Sequence, residues 1–390
     1  MTPAEGLFQF LAQERVGWGT PAPDAVGREM AALGARRALI VASTTLATRT
    51  DTIAAIEAEL GDGVAGLFTG CREHTPIDTV IDCAAAIRRS GADTVVTVGG
   101  GTPIDTVKAA LLCLAEDVHD AEALKAYRVT VAGDGARTVP AVGPSAVRQI
   151  AVPTTLSGAE FSSIAGVTDP ERGIKDAYIA RDSAPAAVIL DPAATVHTPD
   201  WLWLSTGVRA VDHAVETLCS RSAQPLPDAT AIHALRMFAA ALPRTKETPD
   251  DLAARRDCQI AVWLAGFGLG RVEYGASHGI GHQLGAVGGV PHGHTSCVML
   301  PSVLRWNAPV NAGRQARVSE ALGRAGEAAA DVVADFIARL GQPGTLRAVG
   351  ITEDQLDTIA EGSLGNMMVR SNPRPIDSAA QVREILDMAW

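Results

Sequence analysis

No two cysteines in this chain stand in a C-x-x-C spacing. The six present, Cys71, Cys83, Cys113, Cys219, Cys258 and Cys297, are widely scattered, so neither a zinc knuckle nor a dithiol redox motif is signalled. No run approaches the roughly 20 apolar residues of a membrane-spanning helix. The opening Met1-Thr2-Pro3-Ala4-Glu5 has neither the basic nor the apolar segment of a secretory leader. Reduced thiols in a cytoplasmic protein are therefore expected. Charge is also scarce: 20% of residues carry one, the net charge is -11, and Lys and Arg are dispersed. That balance argues against nucleic acid or an anionic membrane as partner. What the chain has is 47% hydrophobic residues over 390 positions, enough for two domains with a sizeable core.

The first half alternates apolar runs with helical spacing. Arg37 to Ala42, Val64 to Phe68, Thr94 to Val98, Gln149 to Pro153 and Ala186 to Leu190 read as strands. Thr79 to Arg88 between them has helical spacing. This alternation predicts a parallel sheet covered on both faces. After Asp191 the pattern turns helical: Asp200 to Ser220, Asp228 to Ala240, Pro249 to Leu269, then stretches around Pro301 to Asn307, Ala312 to Leu340 and Thr352 to Gly362. A boundary is expected near Asp191-Pro192, giving domains 1–191 and 192–390, with an active site in the cleft between them.

Two motifs carry chemistry. Val98-Gly99-Gly100-Gly101-Thr102-Pro103-Ile104-Asp105 follows the strongest strand. Three glycines permit a tight turn and close ligand approach. Thr102 reads as a helix N-cap with Pro103 at N1 and Asp105 completing a capping box. The helix N-terminus behind it is a ready pyrophosphate site. It is neither a GxGxxG fingerprint nor a P-loop. The second motif gathers His278, His282, His292 and His294, four of nine histidines, within one short stretch. His278 and His282 are one helical turn apart, and imidazole suits both proton transfer and metal ligation.

Together these pieces resemble the iron-containing (group III) alcohol dehydrogenase superfamily, in particular its maleylacetate reductase-like branch. The resemblance rests on Gly99 to Lys108, Pro153-Thr154-Thr155-Leu156-Ser157-Gly158-Ala159-Glu160, Gly207 to Glu216, His278 to Gly293, and the C-terminal Asn372-Pro373-Arg374-Pro375. It implies a Rossmann-like α/β dinucleotide-binding domain followed by an all-α catalytic domain, in a dehydroquinate synthase-like architecture. It further implies that Gly99, Gly100, Gly101 and Thr102 hold the pyrophosphate of NADH or NADPH. By the same carry-over, Asp105 faces the nicotinamide end, Thr154, Thr155 and Ser157 line the cofactor groove, and Lys175 approaches a ribose. Ser43 stands where many members have an Asp, which removes a repulsion and should admit NADPH beside NADH. Alternatively, Ser43 only caps the next turn.

The chain also departs from the metal-dependent members, which hold Fe or Zn with one Asp and three His. The histidine positions match His213, His278 and His292, but the Asp position is Arg209. A guanidinium cannot ligate a cation. Asp212, about 100° round the helix from His213, is not expected to substitute. A three-histidine site stays open, but a metal-free site is expected. His74-Thr75-Pro76 and Ser43-Thr44 lean toward the reductases. Pro291-His292-Gly293 leans toward the metal-dependent enzymes, and Ser277 replaces a His common in the reductases. Arg209 is expected to polarise the substrate oxygen or clamp a carboxylate, unless it pairs with Asp212 or Glu216. His282 is the candidate proton relay, with His213, His278 and His292 positioning the substrate. The expected activity is NAD(P)H-dependent reduction of an oxo-acid or activated enone by a homodimer acting on a small molecule. A metal-dependent alcohol dehydrogenase and a catalytically inactive nucleotide-binding protein are the rivals.

Overall fold

The computed structural model describes residues 7–131 and 137–390; the Met1 to Glu5 segment used above lies outside them. The chain forms two compact units. One is Phe10–Thr198; the other is Pro199–Trp390 with the described N-terminal residues 7–9. The division falls later than the expected Asp191-Pro192. The segment after the last strand is tied back into the first unit. Asp191 accepts from Ala22 N (2.7 Å) and Ala193 N (2.8 Å), and Thr198 Oγ1 donates to Thr154 O (2.7 Å).

The first unit runs β1 (Arg15–Trp18), α1 (Ala22–Leu33), β2 (Ala38–Ala42), α2 (Thr44–Arg49), α3 (Thr52–Leu60), β3 (Val64–Phe68), α4 (Ile77–Ser90), β4 (Thr94–Gly99) and α5 (Gly101–Ala115). It continues with α6 (Ala121–Lys125), the short pair β5 (Thr130–Val131) and β6 (Arg137–Thr138), β7 (Arg148–Pro153), the hairpin β8 (Ile164–Asp169) and β9 (Ile174–Ile179), and β10 (Ala187–Leu190). Six strands form one parallel sheet in the order β1-β10-β7-β4-β2-β3. Its central strands are apolar throughout because both faces are covered. Leu39, Val41 and Val95 pack with α4 and α5, whereas Ala38, Ile40, Ala42, Val96 and Val98 pack with α1 and α3. The edge strand β1 and the hairpin β8–β9 escape sequence reading. β1 has four residues including Gly17. β8 contains Gly166 and Asp169, poor strand formers, although Pro170 to Gly173 between its strands is a turn signal.

Winding reverses between β2 and β4. The chain passes from β2 out to the edge strand β3, then returns to β4 and continues to β7. Such a reversal opens the crevice in which an α/β sheet takes its ligand. Register places Ala42 beside Val98 and Gly99 beside Pro153. Ser43, the triple glycine and Thr154 therefore leave the sheet at one edge.

In the second unit the described residues are helical, with no strand: α7 (Asp200–Cys219), α8 (Pro225–Glu247), α9 (Leu252–Ala265), α10 (Ala276–Gly288), α11 (His292–Ala321), α12 (Ala329–Arg339), α13 (Gln355–Ser363), α14 (Met367–Arg370) and α15 (Ala379–Met388). No described helix is long and apolar enough to cross a membrane. From Trp203 to Cys219 every residue of α7 is buried except Arg209, which is partly so. A helix covered all round forms the centre of its unit, and α8 and α11 pack on it. Gly293 permits the α11 contact: a Cβ there would lie 2.7 Å from the Ser205 backbone carbon.

Candidate active site

At the sheet edge, α5 begins at Gly101 with Gly100 as its N-cap. The expected Thr102 cap and its capping box with Asp105 are not formed. Thr102 lies one residue inside the helix and its carbonyl accepts from Thr106 Oγ1 at 2.9 Å. Pro103 falls at N3, still within the first turn, where its missing N–H costs nothing. The first helical bond is Ile104 N to Gly100 O. The N–H groups of Gly101 and Thr102 thus have no partner inside the helix, and the positive end of its dipole is left for an anion.

The turn is shaped by close approach. Gly99 has φ +153°, and a Cβ on it would sit 2.6 Å from Pro103. A Cβ on Gly100 would come within 2.9 Å of Thr155, and one on Gly101 within 3.2 Å of Ser157 Oγ. Thr155 and Ser157 are themselves bonded, Oγ1 to Oγ at 3.3 Å, and Thr154 N donates to Gly99 O at 2.9 Å. The structure therefore brings Gly99, Gly100, Gly101, Thr102, Thr154, Thr155 and Ser157 together. Ser43 caps α2, accepting from Leu46 N at 3.2 Å. Lys175 is exposed on β9, its stem against Gly166.

Beneath the turn lies a feature the sequence did not announce. Asp105 pairs with buried Lys108 at 2.7 Å and accepts from Gly166 N at 3.1 Å. Lys108 Nζ also donates to Ala159 O at 2.8 Å and to Ile164 O. One lysine thereby pins the loop after β7 to α5. Glu160 is buried in that loop, and burial pushes its carboxyl up to about 7, partly opposed by its own backbone N–H and by Lys108. The conspicuous polar spacing here is Asp105 to Lys108, and its partners are carbonyls that no motif marks.

In the helical unit, α7 supplies Arg209, Asp212, His213 and Glu216 at spacings of three, four and seven, one face of a helix. Asp212 shares the face that Arg209 and Glu216 define. Asp212 Oδ2 accepts from Ser277 Oγ at 2.8 Å and from Ser296 Oγ at 2.7 Å. Arg209 makes no ion pair with Asp212 or Glu216 among the described contacts. Its one hydrogen bond runs from Nη1 to Ser296 Oγ at 3.1 Å.

Glu216 has a double task. It accepts from Gly275 N and Ser277 N, both at 3.1 Å, while Asn372 Oδ1 accepts from Ala276 N at 3.1 Å. The orphan N–H groups at the start of α10 are thus satisfied by acceptors distant in sequence. His278, in the first turn of α10, brings Nδ1 within 2.6 Å of Glu216 Oε2, a separation that requires a proton between them. The 2%-exposed His278 has no partner at Nε2. His213 stacks on His278 with centroids 5.0 Å apart and on Tyr274 at 5.9 Å. His282, one turn on, lies edge-on to His292 at 6.2 Å and bonds Asn366 Nδ2 through Nδ1 at 3.2 Å.

Burial dominates the electrostatics. It pushes Asp212 and Glu216 up, and their mutual repulsion raises Glu216 further; Arg209 and the hydrogen-bond donors oppose this. Burial likewise drives His213 and His278 well down, helped by the Arg209 charge, which favours the neutral ring in both. Arg209 is itself pulled down by burial and supported by Asp212 and Glu216.

The metal question takes a different form from the expected one. His213, His278 and His292 do not converge. The group of described residues whose ligand atoms lie within 4.8 Å of one another is Asp212, Glu216 and His278. His278 commits Nδ1 to the carboxylate of Glu216 and leaves Nε2 without a partner. These three could hold a cation, but most of their oxygens are engaged. Asp212 Oδ2 holds two hydroxyls, and Glu216 holds two amides and an imidazole. Asp212 Oδ1 alone is without a partner, and the cation beside the group is Arg209. That donor set does not fit a resident divalent ion well.

Comparisons with known proteins cover both units. The family model described as iron-containing alcohol dehydrogenase matches residues 14–192, and the Fe-containing alcohol dehydrogenase family C-terminal model matches 203–390. Dehydrogenase ALT3 of Alternaria alternata is 34% identical over 87% of this chain and 95% of its own. A maleylacetate reductase of Rhizobium sp. (strain MTP-10005) is 30% identical over 97% and 96%. The crystal structure of a 1,3-propanediol oxidoreductase superposes with a TM-score of 0.88 at 27% identity, covering 99% of this chain and 100% of that one.

Proposed function

From the premise that this chain belongs to the iron-containing alcohol dehydrogenase family and is one of its oxidoreductases, we propose that it reduces a carboxylate-bearing oxo-acid or activated enone with NADH or NADPH. In this reading no divalent metal takes part. The observation that carries it is Arg209, which occupies the position of the family's anionic ligand and holds a single hydrogen bond. A guanidinium has five N–H donors in a planar fork suited to a carboxylate. With one committed to Ser296, the others serve the substrate. The similarity to maleylacetate reductase supports an oxo-acid of that kind.

NAD(P)H, held at the triple-glycine turn, supplies the hydride. The protein supplies orientation and a proton. A buried guanidinium paired with the substrate's carboxylate contributes roughly 3 kcal/mol to its binding. The proton comes from His282. Asn366 Oδ1 accepts from Met368 N at 2.9 Å, so its amide nitrogen faces His282 Nδ1 and donates to it. His282 then carries its proton on Nε2, and it relays one to the substrate only by taking a solvent proton at Nδ1 as it gives the one at Nε2. His278, fixed by Glu216, and His213 and His292 position the substrate. Ser43, neutral where a carboxylate would repel a 2′-phosphate, leaves room for NADPH.

The second reading, a metal-dependent alcohol dehydrogenase, draws on the convergence of Asp212, Glu216 and His278. Against it stand the engaged oxygens and the neighbouring Arg209. The test is Arg209→Ala, assayed with maleylacetate and with a neutral aldehyde. The mutant should lose about 100-fold in kcat/KM on the first, the equivalent of roughly 3 kcal/mol, and far less on the second. Equal losses on both would reject the carboxylate clamp.

A further inference from the structure

Arg209 and Asp212 are three residues apart on one helix face, a spacing at which opposite charges ordinarily close into an ion pair. Here Ser296, from the first turns of α11, stands between them. Its hydroxyl proton goes to Asp212 Oδ2 at 2.7 Å, and its lone pair receives Arg209 Nη1 at 3.1 Å. A hydroxyl has one proton to give, so the direction of this chain is fixed: Arg209 to Ser296 to Asp212. Ser277 fills the remaining approach to the same oxygen at 2.8 Å. Ser277, Ser296 and Asp212 are all fully buried.

We propose that Ser296 determines substrate specificity by interposition. It keeps Arg209 and Asp212 from closing on each other and so preserves a guanidinium fork for the substrate's carboxylate. Asp212 remains near enough to hold the guanidinium charged in a buried place, but not to consume its donors. Without the hydroxyl, the guanidinium would swing onto Asp212 and be neutralised there. This inference rests on the reading of Arg209 as carboxylate clamp. Ser296 is on this account a positioning residue, acting through Arg209.

The experiment compares Ser296→Ala, Ser296→Ala/Asp212→Asn and Arg209→Ala with the parent, using maleylacetate and a neutral aldehyde. Ser296→Ala should raise KM for maleylacetate about tenfold, a charge-assisted hydrogen bond's worth, with kcat and the aldehyde reaction changed less than about twofold. The double mutant, which removes the carboxylate that Ser296 separates from Arg209, should recover most of the lost preference. A side chain serving only packing would not show that recovery. Ser296→Cys, nearly the same volume with a weaker bond, repeats the test should the alanine variant fold poorly, and should fall between parent and alanine. The proposal is overturned if the two substrates lose activity in equal proportion, or if the double mutant is no more selective than Ser296→Ala. If Arg209→Ala loses selectivity but Ser296→Ala and Ser296→Cys do not, the clamp stands and interposition fails. If Arg209→Ala keeps the parent's selectivity, the clamp itself fails.

Discussion

Replacing Glu216 by Gln should cost stability and activity together. Glu216 joins α7 to the start of α10 through three contacts: Gly275 N, Ser277 N and His278 Nδ1. Glutamine keeps one acceptor oxygen and turns an NH₂ toward a group that is already a donor. In its least harmful orientation the amide faces Ser277 N, and one buried N–H at the head of α10 is orphaned. An unsatisfied buried donor costs about 1–3 kcal/mol. In a unit of this size each kcal/mol shifts Tm by roughly 2–4 °C. A fall of about 4–8 °C is therefore expected for a loss near 2 kcal/mol. Glu216→Ala removes all three acceptors and should cost more, about 3–5 kcal/mol. His278 keeps only a neutral, weaker acceptor in Glu216→Gln and loses it altogether in Glu216→Ala, so kcat should fall along with Tm, further in the second variant. The assays are thermal unfolding by circular dichroism and steady-state kinetics. A Glu216→Gln protein that melts within about 1 °C of the parent, well inside the spread expected for a lost buried bond, would refute the capping role of Glu216.

Two further substitutions probe the cofactor site. Gly100→Val should abolish NAD(P)H binding in a fluorescence titration while the helical signal is retained, because a Cβ already meets Thr155 at 2.9 Å and the branched methyls enter the anion's space; unchanged affinity would displace the site from this turn. Ser43→Asp should shift preference toward NADH, since a carboxylate about 4 Å from a 2′-phosphate costs roughly 4 kcal/mol at a surface-like dielectric. Asp caps helices as well as Ser does, so α2 should survive the change, and an unaltered NADPH to NADH ratio of kcat/KM would show that Ser43 faces elsewhere.

The parallel sheet was legible because its central strands are buried on both faces and so read as unbroken apolar runs such as Thr94 to Val98. The edge strand β1 was not, because four residues that include Gly17 and exposed Trp18 carry no such run. At the triple-glycine turn, glycines and helix were readable but the cap was not. Thr102 is a good capping residue by type, yet the chain enters the helix two residues earlier because Gly100 can pack against Thr155. In the candidate site, Arg209, His213, His278 and His282 were named from the family resemblance and from spacing. Ser277 and Ser296 were not assigned a part, since a serine's role depends on what the fold sets opposite it. Glu216 was weighed only as a partner for Arg209. Its true partners begin at Gly275, and that pairing is tertiary. The three-histidine set left open beside the expected metal-free site took no account of Glu216, which pairs with His278 and joins Asp212 and His278 in the one group of described residues with converging ligand atoms.

The central claim is that this member of the family reduces a carboxylate-bearing substrate with Arg209 in place of a metal's anionic ligand. The direct measurement is kcat/KM for maleylacetate with NADH or NADPH, on one preparation assayed in EDTA and with added Fe²⁺ or Zn²⁺, with metal content determined alongside. The account predicts far less than one metal per chain and the same kcat/KM in all conditions. Stoichiometric iron or zinc, loss of turnover in EDTA and its return with Fe²⁺ or Zn²⁺ would contradict it, and would make Asp212, Glu216 and His278 the first residues to test as ligands.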